Sequence, residues 1–215
     1  MTLDVHRHLG AVERSVESLD LDGKPARAVV LSRTYDTDIN DLWDALTSAR
    51  RIPRWFMPVE GDLTLGGRYQ LIGNAGGTIT ECTPPAALGL TWEMRGQVSW
   101  VEVHLAAQSP DRTRLTLRHI AEFTAESAQF WDQFGPGAVG VGWEGGLLGM
   151  AMYLADPTAD KLDENAFGTR PEGRGFLMGS AEQWGEAAIA AGENVEQARA
   201  AARNTAGFYT GQPPV

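Results

Sequence analysis

Between Ala138 and Ala155 the chain runs through an almost unbroken apolar stretch whose one charged side chain is Glu144. A run of this length approaches a short membrane span. Glu144 in its middle, with Gly142, Gly145, Gly146 and Gly149 around it, points instead to a helix buried inside a globular domain. Pro136 and Gly137 stand at its start and Asp156-Pro157 just past its end, which predicts a helix over 138–155. Each interior glycine costs about 1 kcal/mol against alanine, so something must offset these positions. Two devices would: a neighbouring backbone that approaches closely, or free volume beside the helix, as in a cavity wall.

Such a helix needs a layer to pack on, and the preceding residues supply one. Residues 28–35 are rich in β-branched and aromatic side chains and read as a strand. Residues 78–82 form another. Leu88, Leu90 and Trp92 alternate along the next. In 100–107, Val101, Val103 and Leu105 lie on one face and Trp100, Glu102 and His104 on the other; in 113–120, Leu115, Leu117 and His119 share a face. A weaker alternation over 11–19, followed by the turn signal Asp22-Gly23, predicts an added first strand. Gly73-Asn74-Ala75-Gly76-Gly77 lacks the Lys-Ser/Thr and the helix that a phosphate cradle needs, so it reads as a hairpin turn. Strands in meander order followed by a helix indicate an α+β domain with an antiparallel sheet.

Residues 38–71 complete the layer. Asp38 is placed to cap a helix, Asp41 adds negative charge to its first turn, and Ile39, Leu42, Trp43 and Leu46 form an apolar stripe at helical spacing. Residues 50–55 read as a second short helical turn. Leu63 and Leu65, then Tyr69 and Leu71, alternate around Gly66-Gly67, which predicts a hairpin with a two-residue loop.

Thr34-Tyr35-Asp36, Leu42–Thr47, Arg54-Trp55-Phe56 and Gly66-Gly67-Arg68-Tyr69, followed in order by Pro84-Pro85, Leu90-Thr91-Trp92-Glu93, Thr113–Leu117 and Gly142-Trp143-Glu144, resemble the homologues of the activator of the heat-shock-protein-90 ATPase. That family lies within the START-like, helix-grip (SRPBCC) superfamily. The resemblance covers about residues 26–154; no single motif is specific, but their order and spacing together are. It implies a curved antiparallel sheet wrapped around one long C-terminal helix, with a cavity between them.

The formal net charge of −10 argues against a nucleic-acid partner, which calls for clustered Lys and Arg, and against an anionic membrane surface. Cys82 is the single cysteine and can form neither an intrachain disulfide nor a Cys-rich zinc site. A reducing, cytoplasmic setting is the plain expectation, and no signal peptide is read in the first residues.

Beyond the long helix, 156–175 reads as a linker-like loop. Residues 176–191 read as a helix with Phe176, Leu177, Ser180, Ala181, Trp184, Ala188 and Ala191 on one side and Gly192 just past its end. Asn194 is placed to cap a last helix, with Gln197 as in a capping box and Val195, Ala198, Ala202, Thr205 and Phe208 on its apolar side. This helical hairpin is expected to cover the sheet of its own chain or to form a homodimer. The expected organisation is thus an N-terminal extension with an added strand (1–25), a helix-grip domain (26–155) and a loop with the helical hairpin (156–215).

His119 is the most interesting titratable group. A buried imidazole is neutral with a lowered pKa, and it could act as a general base, orient a polar ligand or be a satisfied core histidine. Glu144 could meet it, or sit solvated at a helix rim. His6 and His8 would share a face only in an extended terminus, so no metal site is assigned. No Gly-x-Ser-x-Gly elbow or His-Glu-x-x-His is present, and no cofactor is expected. Trp55, Tyr69, Trp92, His119, Trp143 and Gly146 are the candidate ligand-binding residues, since ligand sites are apolar with a few polar groups. Three functions follow: a receptor for a small apolar molecule; a chaperone-ATPase-associated, stress-response protein, as the resemblance implies; or a cyclase/dehydrase of polyketide type using His119.

Overall fold

The computed structural model describes residues 3–211. The elements, in chain order, are α1 (Val5–Gly10), β1 (Val12–Leu21), β2 (Lys24–Tyr35), α2 (Ile39–Thr47), α3 (Ile52–Trp55), β3 (Val59–Gly61), β4 (Arg68–Leu71), β5 (Gly76–Thr83), β6 (Ala87–Met94), β7 (Gln97–Ser109), β8 (Arg112–Glu122), α4 (Ala125–Phe134), α5 (Gly137–Ala155), α6 (Glu164–Phe167), α7 (Pro171–Ala190) and α8 (Val195–Thr210). The strands form one sheet in the order β1-β2-β8-β7-β6-β5-β4-β3. From β3 to β8 the chain meanders, each strand antiparallel to the last; α2 and α3 carry it from β2 to the far edge. Sheet and long helix make the α+β helix-grip fold.

The chain divides into two compact units: Met1–Leu31, Glu122–Gly145 and Leu162–Val215 form the first, and Ser32–Ala121 with Gly146–Lys161 the second.

In the first unit, α7 and α8 pack as a hairpin that meets β1, α1 and α4. Small residues allow the close approach: a Cβ at Gly185 would lie 2.9 Å from the Ala202 Cβ, and one at Gly179 would lie 2.5 Å from Leu9. Trp184 is wholly buried, and its indole fills the space that a side chain at Gly140 would need. Thr205 donates to the Phe134 carbonyl at 2.6 Å, and Tyr209 to the Ala138 carbonyl at 2.9 Å. Arg14 grips Glu144 through two 2.6 Å hydrogen bonds from Nε and Nη2, both side chains being buried. Its Nη1 and Nη2 also donate to the carbonyls of Val12 and Leu9. The Arg27 guanidinium lies between the rings of Phe123 and Trp131, 4.0 and 4.4 Å from their centroids, and bonds Glu193 at 2.6 Å.

In the second unit, Asp38 caps α2 through the Asn40 and Asp41 amides, as expected, and Leu42 is fully buried. Arg51 staples this region, donating to Asp41, Asp44 and the Tyr153 hydroxyl. Trp55 donates its indole N–H to the Ala45 carbonyl at 2.9 Å. Tyr35 reaches the Leu147 carbonyl of α5 at 3.1 Å, and burial raises its pKa.

Several local expectations change. The hairpin at Gly66-Gly67 closes through the longer loop 62–67, with Gly61 opposite Tyr69. Asp62 accounts for this: its carboxylate accepts from the Thr64 amide and hydroxyl, folding the loop back before the strand begins. Of the two glycines only Gly66 takes a positive φ, and Leu65 is exposed. α7 starts at Pro171, within the expected loop, because proline suits a first helical position. Gln197 donates to Asp132 instead of completing a capping box. Phe208 and Val195 face outward, and Ala201 takes their place on the buried side of α8. His6 and His8 lie on a helix, not an extended terminus. Helix α4, with its Thr124–Ser127 capping box, is additional to the expectation.

Candidate functional site

One face of the second unit's sheet is built from residues directly opposite one another. Leu88 pairs with Val103, Leu90 with Val101, and Trp92 with Ser99; Leu117 pairs with Val103 and His119 with Val101. Opposed residues of an antiparallel ladder share a face, so Trp92, Ser99 and His119 lie together at one end of it. On the neighbouring strands Ile79 pairs with Leu90, and Tyr69 with Gly77. Toward β8 this face is a packed core: Val101, Val103, Leu115 and Leu117 are buried.

Toward β4 it is not closed. Tyr69, Leu71 and Ile79 form a buried nucleus, but the apolar side chains against them, Phe56, Met57, Val59, Leu63, Leu88, Leu90 and Trp92, are only half-buried. Buried floor ringed by half-open apolar side chains is the composition of a ligand site.

Tyr69 gives this floor its shape. Gly77, directly across, has no side chain, and the Tyr69 hydroxyl donates to the Thr91 carbonyl at 2.7 Å, one strand further on. The ring therefore bridges β5 over the glycine. Burial raises the pKa of its phenol.

The polar element is His119. Its Nε2 lies 2.8 Å from the Ser99 hydroxyl, which donates to the Trp92 carbonyl at 3.2 Å. Ser99 thus links the imidazole on β8 to the backbone of β6. Desolvation lowers the imidazole pKa from 6.5 to about 4, which leaves the ring neutral near pH 7. The Trp92 indole is tilted beside it, 6.0 Å between centroids.

The long helix contributes Gly146, where a Cβ would lie 3.3 Å from the Phe56 ring; Phe56 in turn stacks on Trp55. At Gly149 a Cβ would come within 2.5 Å of the Trp55 carbonyl oxygen, so this glycine serves close approach. Around the Cβ position of Gly145 there is nothing within 4 Å. Close approach of backbone thus accounts for Gly149, while Gly145 faces open space.

Of the candidates read from sequence, His119 and Trp92 come together around Ser99, Tyr69 lies in the floor, and Trp55 and Gly146 meet through Phe56. Trp143 belongs to the first unit, half-buried on α5. Glu144 is held by Arg14. Ser99, Met57 and Leu90 were missed; Ser99 and Leu90 share the alternation that singled out Trp92 and His119. Among the described residues no cluster of His, Cys, Asp or Glu could hold a metal ion, and no helix is long and apolar enough to cross a membrane.

A family model described as "Activator of Hsp90 ATPase homolog 1-like protein" matches residues 36–155. CalU16 from Micromonospora echinospora, in its crystal structure, is similar at 33% identity over 68% of this chain and 88% of that one, with a TM-score of 0.58. Its solution structure is similar over 84% of this chain and 96% of that one, at 29% identity and a TM-score of 0.67. EF2215 from Enterococcus faecalis shares the fold at 16% identity, over 88% of this chain and 96% of that one, with a TM-score of 0.59. No curated protein matches the sequence.

Proposed function

The chain belongs to the activator of Hsp90 ATPase homolog 1-like family, and from that premise we propose that its second compact unit is a receptor for a small apolar molecule. The observation that carries the reading is the half-open apolar ring over the Tyr69–Leu71–Ile79 floor. Side chains such as Leu90 and Trp92 would complete their burial on a ligand; covering about 150 Å² of apolar surface is worth roughly 4 kcal/mol before the cost of association. Trp55, Tyr69, Trp92, His119 and Gly146 are the proposed walls.

His119 supports binding over catalysis. A general base works best with a pKa near the operating pH, and this imidazole titrates at about 4. Held by Ser99, it is better suited to orienting a ligand. Association with a chaperone ATPase rests for this chain on the family's description, with no side-chain geometry assigned to it.

The neutral fluorophore N-phenyl-1-naphthylamine tests the reading. Its emission should rise on titration with the protein at micromolar concentration, and Leu90→Arg should remove the rise while circular dichroism stays unchanged. Trp92→Ala, which adds no charge, should weaken it several-fold. Retention of full binding by both variants would place any site elsewhere.

A further inference from the structure

We propose that a row of aromatic rings on the outer side of α4 and α8 is the contact surface of a twofold dimer of this chain. Within the first unit Phe130, Phe134, Phe208 and Tyr209 follow one another ring to ring, with centroids 5.1, 5.9 and 5.2 Å apart. Phe208 is 67% exposed and Phe130 53%, although phenylalanine is among the side chains most often buried. The row is also held still. Asn204 donates to the Gln133 carbonyl at 2.9 Å, and the bonds from Thr205 and Tyr209 to the carbonyls of Phe134 and Ala138 fasten α8 on either side of Phe208. A surface ordered in advance loses little freedom on association.

Area and shape select a second copy as its occupant. An aromatic side chain offers about 200 Å², so the two exposed rings present roughly 250 Å², and the open edges of Phe134 and Tyr209 bring the row to on the order of 350 Å². The apolar share of one side of a standard interface is about 450 Å². The row supplies most of that, enough for a concentration-dependent dimer and too little for an obligate one. Beyond Tyr209 the row ends on α5 at Gly142, an exposed position without a side chain, whose Cβ would lie 3.0 Å from the Tyr209 hydroxyl. A projecting ring at one end and a bare step at the other make the surface complementary to its own twofold image. Phe130 of each copy lies on the Gly142 step of the other, and Phe134 and Phe208 meet across the axis. The formal net charge of −10 makes two copies repel, and a contact made of uncharged rings is one that they can still form.

Sedimentation velocity of the full chain, from about 5 to about 500 µM, tests the dimer. The sedimentation coefficient should rise with concentration toward that of a dimer and no further, and about 0.5 M NaCl should tighten the association by screening the like charges. Phe130→Glu and Phe208→Glu, both at exposed positions, should each weaken it at least tenfold while circular dichroism stays unchanged. Met178→Glu, at a 48% exposed position on α7 outside the row, should leave it as it is. A monomer at every concentration would overturn the proposal, as would weakening by salt or species larger than a dimer, which a closed twofold contact forbids. A dimer that survives both phenylalanine variants, or that Met178→Glu disrupts as strongly, would overturn it too.

Discussion

The indole of Trp184 lies across Gly140 so closely that any Cβ there would overlap its ring. Five residues along the same helix, Gly145 has no neighbour within 4 Å of its Cβ position. The two glycines thus differ in their surroundings, and substitution separates them. Gly140→Ala gains about 1 kcal/mol of helix propensity but overpacks a fully buried tryptophan, and it should lose about 1–3 kcal/mol net. Gly145→Ala meets no obstacle and should gain up to about 1 kcal/mol. Urea midpoints of the two variants should therefore move in opposite directions; a shift of the same sign would show that propensity alone governs the helix.

The Arg14–Glu144 pair is buried on both sides. Removing one partner strands the other charge in the interior. Glu144→Leu alone should cost about 3–5 kcal/mol, and the double variant Arg14→Met/Glu144→Leu should recover most of that loss. Additive losses in a double-mutant cycle would mean that the two side chains act independently.

His119 makes stability depend on pH in a defined direction. Its imidazole takes a proton near 6.5 when unfolded and only at about 4 when folded. Between those values the unfolded chain binds more protons, so acidification favours unfolding. The contribution is intact above about pH 6.5, declines through the window and is gone below about pH 4. His119→Gln lacks the titration, so its melting temperature should fall less between pH 7 and pH 4.5 than that of the unmodified protein. Each 1 kcal/mol corresponds to about 2–4 °C. NMR titration of the ring should give the folded value directly, and a midpoint near 6.5 would refute the desolvated placement.

Asp38 accepts from two amides of the first turn of α2. Asp38→Ala should cost about 1 kcal/mol, and Asp38→Asn much less, by thermal or chemical denaturation. Equal losses would assign the effect to charge and not to capping.

This cap was legible because its signal is local: a short polar acceptor before an apolar stripe. The same holds for Asn194, and for Phe176, Leu177, Ser180, Ala181, Trp184 and Ala188, buried as their spacing predicts, whereas Ala191 of the same stripe caps the helix end and is exposed. Strand parity likewise aligned Trp92 with Leu88 and Leu90, and His119 with Leu115 and Leu117, while only the register puts the two sets on one face. The hairpin after β3 was misread because Asp62 decides it, through a side-chain turn that competes with the Gly-Gly loop. The outward position of Phe208 was also hidden, since spacing marks a stripe but cannot say which edge its neighbours cover. Arg14 and Glu144 stand 130 residues apart, and no periodicity links them. The contact between His119 and Ser99 was likewise hidden, since only the β7–β8 register brings them together.

The bridge that Tyr69 makes over Gly77 has a mechanical consequence. Its hydroxyl is tied to Thr91 at one end and its backbone to β5 at the other, so the ring has no freedom to swing. Against the same nucleus pack Phe56 and Met57, half-buried and carried on the short segment after α3. On the proposed receptor reading the tyrosine side would fix what outline is admitted, and Met57, with its supple thioether chain, would absorb the variation.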